Sequence, residues 1–443
     1  MGLTRTLRIA GSTAAAGALL FSIAPTASAD QIRNTQWPLQ ALDAAAVWKL
    51  ATGKGITVAV IDNGVDASHP DLKGNVLPGK DFIDGDSDAS PAAGDSHGTA
   101  MAGDIAGHGH GVNGADGVKG LAPDAKILPL RDDGARTGGL APSIRYAVDH
   151  GASVINISQG GSAPSFAYEE QQAIGYALEH NVVIVAGAGN DGKSSTEASF
   201  FPANYPGVVD VGAVDESNEI WAKSNYGPTL LLTAPGVHVV SAGTDSDGYD
   251  SGSGTSDATA YVSAACALLR QKFPDLTAGQ IVNRLTKTAG LPASAKGLKL
   301  PDEKYGYGYI RPLAALEDNI PAGSRNGPLT MPASDGATAP SAASDDSDGG
   351  LTTNSVIALS TLAALGVLIV IGVPLLLILR RRAKRRRAAE EQNHFNQNHF
   401  NQNHSTQQAG YGSYPPNPYL DSPPYPQQPP YQQQPPSDRY PHQ

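Results

Sequence analysis

The chain has 443 residues, 40% of them hydrophobic and 16% charged, with a formal net charge of −11 and one cysteine. That length exceeds one ordinary domain, the acidity argues against nucleic acid as a partner, and the lone Cys266 excludes an intramolecular disulfide. Charge is divided along the chain: residues 30–320 carry 34 acidic and 20 basic side chains, a net of −14, whereas 380–387 hold seven basic residues in eight.

Residues 1–29 have the layout of a signal peptide. Arg5 and Arg8 precede an apolar, small-residue stretch from Ile9 to Ile23, and Ala27-Ser28-Ala29 fits a cleavage site. Residues 30–52 are expected to form an N-terminal extension, with Gln36-Trp37-Pro38-Leu39 and Ala45-Ala46-Val47-Trp48 packing on the domain that follows. About two dozen residues between Asp30 and the first strand leave no room for a separately folded inhibitory pro-domain, so no autocatalytic pro-domain removal is expected.

Residues 53–318 read as one α/β domain. Val58 to Ile61 is a continuous apolar run, the pattern of a buried parallel strand, and it delivers Asp62 at its C-terminal end before the Asn63-Gly64 turn. His97 is followed by Gly98 and by the small, helix-compatible run Thr99 to Ala106, which places the imidazole at a helix start. Ser256 stands between Ser251-Gly252-Ser253-Gly254 and the apolar run Ala258 to Leu269, which reads as a buried helix. Singly, an Asp at a strand end is a turn residue and a Ser in a Gly-rich run is linker. Jointly, and in this order, they suit acyl transfer. A serine hydroxyl attacks an amide only if an imidazole takes its proton, and the imidazole needs a carboxylate to fix its tautomer.

These segments resemble those of the subtilisin-like serine proteases. Gly120 to Ile127, Ser153 to Ser158, Val182 to Asn190, Phe201-Pro202-Ala203 and Ala234-Pro235-Gly236 match in the same order, so the resemblance covers roughly Gly53 to Leu316. It implies a three-layer domain with a central, mostly parallel β-sheet, and peptide-bond hydrolysis by Asp62, His97 and Ser256. It also implies an oxyanion hole made by Asn190 and the Ser256 N–H. Ser158-Gln159-Gly160-Gly161 and Ala186-Gly187-Ala188 would bind an extended polypeptide substrate as an added strand.

Two positions depart from the family pattern, which has a bulky apolar residue after the nucleophile and a proline four residues after it. This chain has Asp257 and Ala260. Alanine suits a helix at least as well. Asp257 has two readings: a helix-start residue directed away, or a charge that opposes the oxyanion and raises the pKa of His97. No metal ligand is assigned and no cofactor is required. Asp84-Gly85-Asp86-Ser87-Asp88 clusters carboxylates where some subtilases hold calcium, which leaves Ca2+ an open expectation. His108-Gly109-His110 is expected to be plain exposed loop, and Cys266 a buried small hydrophobe.

Beyond the domain, 319–354 is a Pro-, Ser- and Asp-rich linker. Ser355 to Leu379 is 25 residues without a charge, long enough for one transmembrane helix, and the basic run after it puts that end in the cytoplasm. The tail, 380–443, is basic and then rich in Asn, Gln and Pro, repeating Asn-His-Phe-Asn-Gln at 393–397 and 398–402, and is expected to be disordered. This layout resembles the mycosins, the membrane-anchored subtilases of type VII secretion. The resemblance implies a single-pass cell-membrane protein with an extracytoplasmic protease domain, which cleaves exported polypeptides or supports a secretion complex. A largely structural subunit and a general surface protease are the alternatives. The single cysteine departs from the disulfide-bearing mycosins, as does the long tail.

Overall fold

The computed structural model describes residues 29–162, 166–244 and 248–332. The expected signal peptide up to residue 28, most of the linker, the apolar segment 355–379 and the tail 380–443 lie outside the described residues. Among the described residues no helix is long and apolar enough to cross a membrane.

The chain opens with three short helices, α1 (Ala29–Thr35), α2 (Trp37–Ala41) and α3 (Ala44–Val47). They are held to the domain by particular bonds. Gln36 is 1% exposed, and its amide both donates to the Lys119 carbonyl at 3.1 Å and accepts from the Lys119 N–H at 2.9 Å. The indole N–H of Trp37 donates to Val237 O and that of Trp48 to Leu121 O. Leu39, Leu42, Ala44 and Val47 join the main core.

The strands follow as β1 (Thr57–Asp62), β2 (Lys80–Asp81), β3 (His108–His110), β4 (Asp116–Lys119), β5 (Lys126–Arg131), β6 (Val154–Ile157), β7 (Val183–Gly187), β8 (Val208–Val214), β9 (Leu230–Pro235), β10 (Val239–Ala242) and β11 (Tyr249–Gly252). The longer helices are α4 (His97–Ala106), α5 (Ala141–Asp149), α6 (Ala167–Glu179), α7 (Thr255–Lys272), α8 (Ala278–Thr288) and α9 (Pro312–Glu317). Seven strands form one parallel sheet in the order β2-β5-β1-β6-β7-β8-β9. Strands such as Val183–Gly187 and Val208–Val214 are buried at every position, as expected of a parallel sheet covered on both faces.

Chain direction explains the layers. From β1 through α4 the chain reaches β5 on one side of β1. From β5 through α5 it returns to β6 on the other side, and through α6 it continues to β7. Right-handed crossovers in opposite directions put α4 on one face and α5 with α6 on the other. The long helix α7 packs against α4 and across β6 to β9, which completes three layers. It is buried from Thr255 to Arg270, and its alanines at 258, 260, 264, 265 and 267 let it lie close to the sheet. The order of crossovers reverses beside β1, and ligands of open α/β sheets bind beyond the C-terminal strand ends at such a switch point. Asp62 ends β1, Ser158 follows β6, and Asn190 lies just beyond β7.

Candidate functional site

Asp62 is buried at 2% exposure, and its Oδ1 receives the Nδ1–H of His97 at 2.8 Å and the N–H of Asn63 at 2.8 Å. The pairing depends on two glycines and an asparagine. Gly64 turns the chain at a φ of +110°, which a side chain would resist. A Cβ on Gly98 would lie 2.2 Å from Gly64 O, so only glycine lets α4 start this close to the end of β1. Asn63 Oδ1 then accepts the Gly98 N–H at 2.9 Å, which fixes the first turn of α4 over the carboxylate.

The His97 side chain is 44% exposed and faces a cleft of about 230 Å³ that it shares with Ser256, Asn190, Asp257 and Asp250. Burial draws the imidazole pKa down. The charge and hydrogen bond of Asp62, followed by the charges of Asp257 and Asp95, outweigh that effect and hold it at about 9.

Ser256 is the second residue of α7, after an extended Gly254 N-cap. Its N–H is among the first-turn donors that an α-helix leaves without a partner. Its Oγ donates to Ser158 O at 3.0 Å, and Ser158 Oγ donates back to Ser256 O at 3.1 Å. Among the described residues no hydrogen bond joins Ser256 Oγ to His97, although the two residues line one cleft.

Asn190 is held by its oxygen. Oδ1 accepts the Thr255 N–H at 2.9 Å and the Thr255 hydroxyl at 3.0 Å, which turns Nδ2 toward the start of α7. A Cβ on Gly254 would sit 3.5 Å from Ser256 N, 3.6 Å from Asn190 Nδ2 and 3.5 Å from Asp257 Oδ2. Ser256 N, Asn190 Nδ2 and Asp257 Oδ2 therefore lie within 3.6 Å of one point beside the serine.

Asp257 does not point away from the site. It is 6% exposed, lines the cleft, and its carboxylate bonds to its own backbone N–H. Burial pushes its pKa up to about 7, against the pull of His97, and Asp250 adds to the rise. Behind it, on the α4 face that meets α7, the fully buried Asp104 is held well above the carboxylate range by burial and by Asp257. Asp104 Oδ1 accepts from Ser241 at 2.7 Å, and its other oxygen has no partner. Sequence reading missed Asp104, although it is an acid seven residues after His97, two helical turns along an otherwise small and apolar face.

The segments proposed for substrate binding separate in space. Gln159, Gly160 and Gly161 line a second cavity of about 240 Å³ with Asp133, Phe166 and Glu170. Ser158 is buried against Ser256, and Ala186, Gly187 and Ala188 are buried at the end of β7. Gly161 is already paired to Phe201 in both directions, at 2.9 and 2.8 Å, which leaves Ser158 to Gly160 as the open part of that segment.

The acidic loop is occupied from within. Asp81 and Asp84 both accept from the Arg131 guanidinium, Asp86 caps the Asp88 N–H and Asp88 caps the Ser90 N–H. Among the described residues no group of three or more His, Cys, Asp or Glu side chains is placed to hold a metal ion. His108 and His110 are not plain loop: they lie in β3, and His110 Nδ1 meets the buried Asp71 at 2.6 Å.

Residues 53–308 match the Subtilase family model, peptidase family S8. Fervidolysin of Fervidobacterium pennivorans is 35% identical over 326 residues, a stretch covering 66% of this chain and 45% of that protein. The chain thus spans less than half of this curated relative. The crystal structure of MycP1 from Mycobacterium smegmatis aligns at a TM-score of 0.56 and 32% identity, covering 66% of this chain and 87% of that one. The MycP3 protease from the type VII (ESX-3) secretion system aligns at 0.54 and 34%, covering 63% and 87%.

Proposed function

The chain belongs to the subtilase family of serine endopeptidases, and from that premise we propose that Asp62, His97 and Ser256 hydrolyse peptide bonds in exported polypeptides. The observation that carries this is the 2.8 Å contact of His97 Nδ1 with the buried Asp62, at the mouth of the cleft that holds Ser256 and Asn190.

Ser256 Oγ attacks the peptide carbonyl, and His97 Nε2 takes the hydroxyl proton. Asp62 accepts the Nδ1–H, which fixes the tautomer and stabilises the imidazolium. The carbonyl oxygen gains charge and is met by Asn190 Nδ2 and the Ser256 N–H, preorganised dipoles that bring no charge of their own. His97 then passes the proton to the leaving amine, and water releases the acyl group by the same route in reverse. The Ser158 carbonyl has a part before this. An extended peptide pairing with Ser158 to Gly160 offers it an N–H, which competes with the Ser256 hydroxyl and frees that hydroxyl to turn toward His97.

The uncharged segment Ser355 to Leu379 and the basic run after it support a single-pass anchor with the protease domain outside the cell membrane. The likeness to MycP1 and MycP3 supports a place beside a type VII secretion complex. The test is labelling of the purified chain by an active-site fluorophosphonate. Labelling that is lost in Ser256→Ala and in His97→Ala supports the proposal, and a folded chain that is never labelled defeats it. A second reading, a structural subunit of the secretion complex with secondary catalysis, is favoured by Asp257 in the cleft. Secretion that survives Ser256→Ala but not deletion of the gene would select it. Broad casein cleavage without any secretion defect would instead select a general surface protease.

A further inference from the structure

The cleft shared by His97 and Ser256 has a side. None of the strand-pairing residues Ser158 to Gly161 or Ala186 to Ala188 lines it; Gln159, Gly160 and Gly161 line the other cavity. His97, which must reach the leaving amine, does line it, together with Ser96, Gly252, Ser253 and two carboxylates, Asp250 and Asp257. The chain that departs after cleavage therefore enters an acidic recess.

Asp257 is the unusual member. It is 6% exposed and lines the recess, and its carboxylate bonds to its own backbone N–H and to no other described residue. A buried carboxylate with no cation beside it to balance its charge is costly and is relieved by an arriving one. Asp250, exposed near the start of β11, offers a second carboxylate; its Oδ2 accepts from Ser96 Oγ at only 3.3 Å. Among the described residues no Lys or Arg side chain lines this cleft.

Resting on the proposed protease reading, we propose that Asp257 and Asp250 select substrates with Lys or Arg immediately after the scissile bond. The cation has a second effect besides binding. Asp257 Oδ2 lies within 3.6 Å of the same point as Asn190 Nδ2 and Ser256 N, so its free charge opposes the developing oxyanion and holds His97 protonated. A substrate cation set against Asp257 cancels both effects. The right substrate thus completes the site, and the preference is carried in kcat as well as in KM.

The experiment compares peptides that differ only in the residue after the scissile bond (Lys, Arg, Ala or Glu) with the purified full-length chain, titrated beforehand with fluorophosphonate. The expected result is a kcat/KM at least about tenfold higher for Lys or Arg than for Ala, with Glu lower still. In Asp257→Asn the Lys:Ala ratio should fall to within about twofold, chiefly because the Ala peptide is turned over faster. Asp250→Asn, a change at an exposed position, should weaken the preference in part and guards against misfolding of the buried variant. Equal cleavage of the Lys and Ala peptides by a labelled enzyme overturns the inference alone, as does an Asp257→Asn enzyme that folds and keeps the full preference. A chain that neither labels nor cleaves overturns the protease reading beneath it.

Discussion

Ser158 and Ser256 hold one another by a reciprocal pair of hydrogen bonds, hydroxyl to carbonyl in each direction, at 3.1 and 3.0 Å. The pair ties the end of β6 to the start of α7. Asn156 Nδ2 donates to the same Ser158 hydroxyl at 3.0 Å, so Ser158→Ala strands a buried amide. We expect a loss of about 1–3 kcal/mol in denaturant unfolding. Fluorophosphonate labelling should persist, because the Ser158 carbonyl is unchanged.

Asn190 supplies a donor only while its oxygen is engaged. Asn190→Ala should lower kcat by about a hundred- to a thousandfold with little change in KM. Thr255→Val removes one of the two donors that orient the amide and should cost about three- to tenfold. Steady-state kinetics on one peptide, normalised to titrated sites, decides this. A Thr255→Val loss as large as that of Asn190→Ala would mean that Thr255 does more than aim the amide.

The rate should rise on the alkaline side. With the His97 pKa at about 9, the neutral base accumulates as pH climbs through that value. Because the Asp257 charge contributes to that elevation, Asp257→Asn should move the rising limb of kcat/KM for a neutral peptide toward lower pH. An unmoved midpoint would show that the two groups do not interact.

Stability should run the other way. Asp257 is raised from 3.8 to about 7 and Asp210 to about 6, each mainly by burial, and Asp104 is raised well above its ordinary value. A carboxyl group whose folded pKa is raised stabilises the fold fully below its unfolded pKa and loses that contribution as pH climbs through the folded one. His97, raised from 6.5 to about 9, adds to the same trend. The domain should melt at least about 2 °C lower at pH 8 than at pH 5, and Asp104→Asn should flatten the dependence. Calorimetry of both chains across this range is the check.

Gln36 bonds both the N–H and the carbonyl of Lys119 from a 1% exposed position. Gln36→Ala should cost about 1–3 kcal/mol, since two partly buried backbone groups of Lys119 lose their partner. Removal of residues up to Thr35, which leaves this bond in place, should cost less.

Much of this was readable before any coordinate. Val58 to Ile61 announces a buried strand because all four residues are apolar, and a parallel strand can present Asp62 only at its end. His97 and Ser256 sit at helix starts for a similarly local reason, since small residues follow each. The turn of Ser256 toward Ser158 was not readable, because it depends on where β6 meets α7, 98 residues apart in sequence. The direction of Asp257 was also hidden. A carboxylate in a first helical turn is favoured whichever way it faces, and only the packing of α4 against α7 turns it inward.

The acidic loop after β2 has a consequence beyond its own geometry. Arg131 ends β5, and its guanidinium pairs with Asp81 and Asp84, so part of the loop's charge is balanced by a counterion covalently part of the chain. Such a counterion cannot diffuse away or be stripped by a chelator, and its charge is permanent at any physiological pH. The pairing of Arg131 with Asp81 and Asp84 should therefore persist in EDTA as in millimolar divalent salt.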